Sequence, residues 1–234
     1  KNTNVSFEMI FVGDRPPTEF VGEHFKYIYS PVKPSQCIEI AAREAVGEFI
    51  IPTPDDYYFS ENFLDELEKQ MQKTDTNKYI VAFRYYPVCY VDELVLKYGG
   101  KKRPYDLNYF GVEMGECGCF PKKLWKELGG LDRRFIWGNP ILDLQFRCFE
   151  IGLTLKFAKN IYVQELYDRL SPEEEEKYNE TRLIVAYGDY DYRILYFFWN
   201  DVYGKFSKKR RLPVEPFEDK DIKILSQSEK EHWV

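Results

Sequence analysis

The chain has 234 residues, 44% hydrophobic and 18% aromatic, enough for one sizeable core and too few for two ordinary domains to be the default. Its formal net charge of -6 argues against a nucleic-acid surface, which needs basic side chains to displace the counterions of phosphates. A small anionic ligand in a local pocket stays open, and the one dense basic run, residues 208–211 (KKRR), reads as a solvated loop, with a phosphate or membrane-surface contact as the alternative.

The cysteines Cys37, Cys89, Cys117, Cys119 and Cys148 are odd in number and form no C-x-x-C pair, so neither a disulfide framework nor a zinc cage is expected. Cys117 and Cys119 stand too close for a zinc knuckle. A reducing, cytoplasmic setting is the expectation. No stretch approaches the ~20 apolar residues of a membrane span, and no signal peptide precedes the first strand.

In chain order, residues 6–12 (SFEMIFV) form an apolar run ended by Gly13-Asp14, which predicts a buried strand leading into a loop. Residues 25–29 (FKYIY) predict a second strand. Residues 34–46 predict a helix with Cys37, Ile38, Ala41, Ala42 and Ala45 on one face, Pro34 in its first turn and Gly47 past its end. A strand resumes at 48–51. Strand, helix and strand in that order point to parallel pairing through crossover helices.

Ser60 is the expected N-cap of a helix carrying Phe63, Leu64, Leu67 and Met71. Residues 78–84 and 87–91 are β-rich, and 97–108 read as a mobile loop. Residues 121–128 predict a helix closed by Gly129-Gly130. A further helix is expected over 140–151, with Ile141, Leu144, Cys148 and Ile151 inward, followed by a strand at 154–158. Ser171-Pro172-Glu173-Glu174 is a capping box with Pro at the first helical position, and Ile194, Leu195, Phe198 and Val202 keep helical spacing. The organisation expected is a core of residues 1–165 and a helical C-terminal extension, 166–234, packed on the same domain.

The most informative stretch is residues 48–67 (EFIIPTPDDYYFSENFLDEL). A strand ends at Ile51, the carboxylates Asp55 and Asp56 follow, and a helix begins near Ser60. In an open α/β sheet ligands bind beyond the carboxyl ends of the strands. Two carboxylates side by side there repel each other, and a divalent cation relieves the repulsion while bridging to a diphosphate leaving group. Oxygen ligands favour Mg²⁺ or Mn²⁺. The alternative is a turn in which these side chains only accept backbone hydrogen bonds.

The order of FEMIFVGDRPP, then IAAREAVGEFIIPTPDDYYFSENFLDEL, then GCFPKKLWKELGGLDRRFIWGNPILDLQFR resembles the GT-A glycosyltransferases, in particular the large family 2 typified by polysaccharide and cellulose synthases. The resemblance runs from Val5 to Phe157. It implies a Rossmann-like, mostly parallel twisted sheet flanked by helices. It also calls for one more strand and a polar nucleotide loop ahead of Ser6, while the chain opens on Lys1 rather than Met.

Carried over residue by residue, Asp14 stands near the family's acidic residue against the nucleotide base. Arg43 matches an arginine directed at the nucleotide or its diphosphate, its alternative being a helix-surface ion pair with Glu39 or Glu44. Thr53-Pro54-Asp55 occupies the place of the D-x-D signature, with Thr53 where the ribose-facing carboxylate usually stands and Asp55 as the metal ligand, Asp56 next. Gly115, at the head of residues 115–118, and the turn 129–132 resemble the segments that wall the donor sugar and acceptor. Residues 137–147 resemble the tryptophan-glycine motif, with Pro140 and Ile141 in place of its Glu-Asp pair. The next carboxylate, Asp143, is the candidate base, against an i,i+4 salt bridge to Arg147. Glu165 stands where a further metal ligand, often His, is expected, and His232 could fold back onto the metal or remain a tail residue.

The resemblance implies sugar transfer from a UDP, GDP or dTDP donor to a glycan hydroxyl, assisted by Mn²⁺ or Mg²⁺. Two other readings share the fold class. A sugar nucleotidyltransferase needs a glycine-rich loop with Arg after its first strand, which the chain lacks. A domain that binds nucleotide sugar or a partner without turnover is kept open by Thr53 and by the altered Glu-Asp pair.

Overall fold

The computed structural model describes residues 3–16, 24–32, 34–55, 57–86, 107–109, 112–114, 117–135, 140–165 and 210–219. Strands β1 (Met9–Gly13) and β2 (Phe25–Tyr29) pair in parallel, with Met9 opposite Phe25 and Gly13 opposite Tyr29. Helix α1 (Pro34–Glu44) follows β2 and packs against β1. A second, five-stranded sheet is built from β3 (Phe49–Ile50), β4 (Tyr57–Phe59), β5 (Tyr79–Tyr86), β8 (Gly118–Pro121) and β9 (Thr154–Glu165), in the order β3-β8-β5-β9-β4. Between β5 and β8 lie β6 (Leu107–Tyr109) and β7 (Val112–Met114), an antiparallel pair.

The α/β expectation holds with one correction to the sheet. It is mixed: β1–β2 and β5–β9 are parallel, while β3–β8, β8–β5 and β9–β4 are antiparallel. Short β4 and β8 carry too little periodic pattern to be read as strands, and their reversed direction was therefore invisible. The last strand also runs past Ala158, because a bulge opposite Phe83 absorbs the residues between Phe157 and Tyr162, with Asn160 at φ 64°. A bulge of this kind breaks the alternation that sequence periodicity relies on.

Residues alternate across β5, so Ile80 joins one core and Val81 and Phe83 the other. The first core packs Ile80, Phe120, Trp125, Leu131 and Leu144 under α1, α3 (Lys122–Glu127) and α4 (Pro140–Glu150). The second packs Val81, Phe83 and Val163 under Phe63 and Leu67 of α2 (Phe63–Met71). Helices on both faces make β5 a central strand, buried from Ile80 to Phe83.

Several local expectations are corrected. Ser60 does not cap α2; its backbone N–H donates to the Tyr162 carbonyl at 3.0 Å and its hydroxyl accepts the Tyr162 N–H at 3.1 Å, tying β4 to β9. Asn62 takes the cap position at φ 54° without a side-chain bond. In α1 the buried residues are Ser35, Glu39, Ile40 and Ala42, so of the expected apolar face only Ala42 is buried. Glu39 turns inward because it has donors there: Trp125 Nε1 at 3.1 Å, the Leu131 N–H at 3.0 Å and Arg43 Nε at 3.0 Å. Ile151 is 58% exposed, just past the end of α4. Residues 107–108, expected in a loop, belong to β6.

The strand expected at 87–91, the capping box at 171–174 and the helical spacing of 194–202 lie outside the described residues. Within the expected C-terminal extension, residues 210–219 run as an irregular strap whose Phe217 enters the first core. No helix among the described residues is long and apolar enough to cross a membrane.

Candidate functional site

Parallel pairing puts the carboxyl ends of β1 and β2 side by side. β1 ends at Gly13 and Asp14 follows it, exposed. β2 ends at Tyr29, and the next residue, Ser30, is 1% exposed with its N–H donating to the Gly13 carbonyl at 2.9 Å. The Tyr27 hydroxyl donates to the same carbonyl at 3.1 Å. The chain then enters α1, whose first turn holds Ser35, Gln36 and Cys37 and carries the positive end of the helix dipole. From β3 it runs through Pro52 and Pro54 to Asp55, which is exposed, as is Thr53, whose hydroxyl donates to the Pro54 carbonyl at 2.9 Å.

Cys37 feels both carboxylates. Its thiol pKa is pushed up to about 11, first by burial and then by the carboxylates of Asp14 and of Asp55. Tyr27 is likewise raised, by burial and then by Asp14. The fold therefore brings two sequence-distant carboxylates into electrostatic reach of one thiol in the first turn of α1. Among the described residues neither is drawn into an ion pair.

Exposed, unpaired carboxylates at a strand-end rim are hard oxygen donors, the type that Mg²⁺ or Mn²⁺ takes, so the residues present fit a divalent cation at Asp55. Among the described residues no group of three or more His, Cys, Asp or Glu side chains is placed to hold a metal ion. Asp56, Gly115, His232 and the side chain of Glu165 lie outside the described residues.

Arg43 is not brought to this rim. It sits in the last turn of α1, and from Cys37 to Arg43 the helix rises about 9 Å at its usual pitch. Its guanidinium is spent on Glu39 at 3.0 Å, on Asp219 at 3.2 Å and on the Phe217 carbonyl, which is the ion-pair alternative extended by two contacts to the strap. A cation in the first turn of α1 would face the rim, and there the chain has Gln36.

Asp143 is placed where its expected role as base meets an obstacle. It is 0% exposed; one carboxylate oxygen accepts Arg147 Nε at 2.9 Å and the other is bound by Arg210. Asp132, also 0% exposed, accepts the Arg134 N–H at 3.0 Å, Arg134 Nε at 2.9 Å and again Arg210. Burial pushes the Asp132 carboxyl up, but the Arg134 hydrogen bonds and the charge of Arg210 outweigh it and hold the group below the usual carboxylate range. The sequence reading missed Arg210 by taking its basic run as a solvated loop. The available signal was Asp143 itself, a carboxylate between Leu142 and Leu144 that an otherwise buried helix must neutralise.

No family model matches the sequence, and no curated protein matches it. Solved structures do. S. aureus TarS shares 12% identity at a TM-score of 0.50, over 83% of this chain and 37% of that one. The fold is of the GT-A glycosyltransferase type. S. aureus TarS 1-349 in complex with UDP is similar at 12% identity and a TM-score of 0.48, covering 62% of that chain. GalNAc-T7 with UDP, GalNAc and Mn²⁺ is similar at 15% and 0.48, covering 48%. The chain thus spans between 37% and 62% of these three structures. In a GT-A fold with a mixed sheet, the rim formed by Asp14, the first turn of α1 and Asp55 lies beyond the carboxyl ends of β1, β2 and β3, the side on which α/β sheets bind ligands.

Proposed function

We propose that the chain is a metal-assisted glycosyltransferase that passes a sugar from a nucleotide-diphosphate donor, UDP-linked by preference, to a glycan hydroxyl. The observation that carries this is the contrast between carboxylates: Asp132 and Asp143 are buried and fully engaged with arginines, whereas Asp14 and Asp55 are exposed and, among the described residues, in no ion pair. In this reading Asp14 faces the base and Thr53 the ribose, while Asp55 and Asp56 hold the cation, joined by Glu165 and His232. Gly115 belongs to the wall around the donor sugar. The cation supplies charge screening for the departing diphosphate. The N–H groups of the first turn of α1 favour the same anion. Asp143, with both oxygens on guanidinium groups, serves as a positioning residue for α4 in this scheme.

A second reading, nucleotide-sugar binding without turnover, is favoured by Thr53 in place of a carboxylate and by the engagement of Asp143. Nucleoside diphosphate release from a panel of nucleotide sugars, with and without EDTA, separates the two. Metal-dependent release supports transfer, binding without release supports the second reading, and neither binding nor release contradicts both.

A further inference from the structure

We propose that residues 210–219 form a clasp that positions the elbow between α3 and α4 against the first turn of α1, with Arg210 as its positioning residue. That the clasp affects ligand binding rests on the proposed site; the clasp itself does not.

Arg210 brings one guanidinium to two carboxylates on different elements, Asp132 in the elbow and Asp143 in α4, both 0% exposed. Removing one partner of a buried ion pair leaves an uncompensated charge, which is far costlier than the pair is worth. The backbone repeats the link. The Arg133 N–H donates to the Glu215 carbonyl at 2.8 Å, Asp132 and Pro216 form an antiparallel bridge, and Phe217 is buried in the first core.

The elbow is tied in turn to the proposed site. The Ser35 hydroxyl donates to the Phe135 carbonyl, and both residues are buried. Ser35 lies in the same helical turn as Cys37, the thiol whose ionisation Asp14 and Asp55 oppose. Buried hydrogen-bonded contacts thus run without a break from Arg210 through Asp132 and Phe135 to Ser35. Such a chain is a placement, and coupling along it has to be measured.

The test compares hydrogen exchange and UDP–Mn²⁺ binding in the full chain and in Arg210→Met, Arg210→Lys, Ser35→Ala and, as a control in the other core, Leu67→Ala. Arg210→Met is expected to speed exchange at least tenfold both in residues 131–135 and in residues 38–40 of α1, whose N–H groups bond to the carbonyls of its first turn, and to weaken UDP–Mn²⁺ binding about five- to tenfold, within the range of coupling seen through packed networks. Arg210→Lys, which keeps the charge and loses the fork, falls between. Ser35→Ala speeds exchange in the elbow and weakens binding, while Leu67→Ala lowers Tm, speeds exchange without singling out the elbow or α1, and leaves UDP–Mn²⁺ binding unchanged. Loss of protection at Arg133 with residues 38–40 of α1 and UDP binding both unchanged overturns the proposal. Should Arg210→Met fail to fold, Ser35→Ala decides alone: unchanged elbow exchange overturns it. If the wild type binds no UDP, the reading of the site falls, and exchange in residues 38–40 of α1 still decides the clasp.

Discussion

Asp132 and Asp143, on separate elements and both fully buried, share the guanidinium of Arg210. The charge on Asp132 is maintained against burial by Arg134 and Arg210, and its pKa is depressed. A group held lower in the folded chain than in the unfolded one contributes stability above its unfolded pKa, about 3.9 for Asp, and that contribution is lost as pH falls through the folded value. The urea midpoint of the wild type is therefore expected to fall steeply below about pH 4. Asp132→Asn, which leaves its arginines facing a neutral group, should cost about 3–5 kcal/mol at pH 7 and show a shallower acid limb. Parallel acid limbs in the two proteins would contradict this account of Asp132.

Gly130 is held at φ 70°, and a Cβ there would come within 2.6 Å of both Glu39 carboxylate oxygens. Those oxygens are the acceptors for Trp125, Leu131 and Arg43, so the carboxylate has little freedom to retreat. Gly130→Ala combines a left-handed backbone with this clash and should destabilise by roughly 2–4 kcal/mol. Equilibrium denaturation checks it. Gly152, at φ 89° with nothing near its Cβ position, is the control, and Gly152→Ala should cost only about 1 kcal/mol.

How much of this was legible in the sequence depends on where each residue finds its partner. β2 and the start of α1 at Pro34 could be read directly, because an apolar run and a proline at a first turn act locally. Asp14 could be singled out through the family resemblance and Asp55 as a carboxylate following a strand, yet that both carboxylates act on one thiol, Cys37, follows from how β1, α1 and the chain after β3 fold together and from no local pattern. The burial of Glu39 and Arg210 could not be read from their own surroundings: Glu39 lies between Ile38 and Ile40 and Arg210 in a basic run, and each is buried because its partners, Trp125 and Leu131 in one case and Asp132 and Asp143 in the other, lie far along the chain. The antiparallel β8 escaped because Gly118–Pro121 is too short to show a period.

The Cys37 thiol offers a reporter of the rim. With its pKa pushed up to about 11, iodoacetamide should modify it slowly at neutral pH, because only the thiolate reacts. Burial is the main cause, and the carboxylates add to it. Asp14→Asn and Asp55→Asn remove negative charge that disfavours the thiolate, so each should shift the alkylation profile of Cys37 part of the way to lower pH. Mass spectrometry of the modified peptide reads the shift. Identical profiles in wild type and both variants would separate these carboxylates from Cys37.

The central claim is that Asp55 takes part in holding a cation that holds a nucleoside diphosphate. Thermal unfolding with UDP, with Mn²⁺ and with both tests it most directly, since a ligand that binds only the folded chain raises its apparent stability by mass action. UDP is expected to raise the Tm of the wild type only when Mn²⁺ is present, and Asp55→Ala is expected to abolish that rise while leaving the ligand-free Tm close to wild type. A full UDP–Mn²⁺ response in Asp55→Ala, or no response in the wild type at millimolar ligand, would contradict the account.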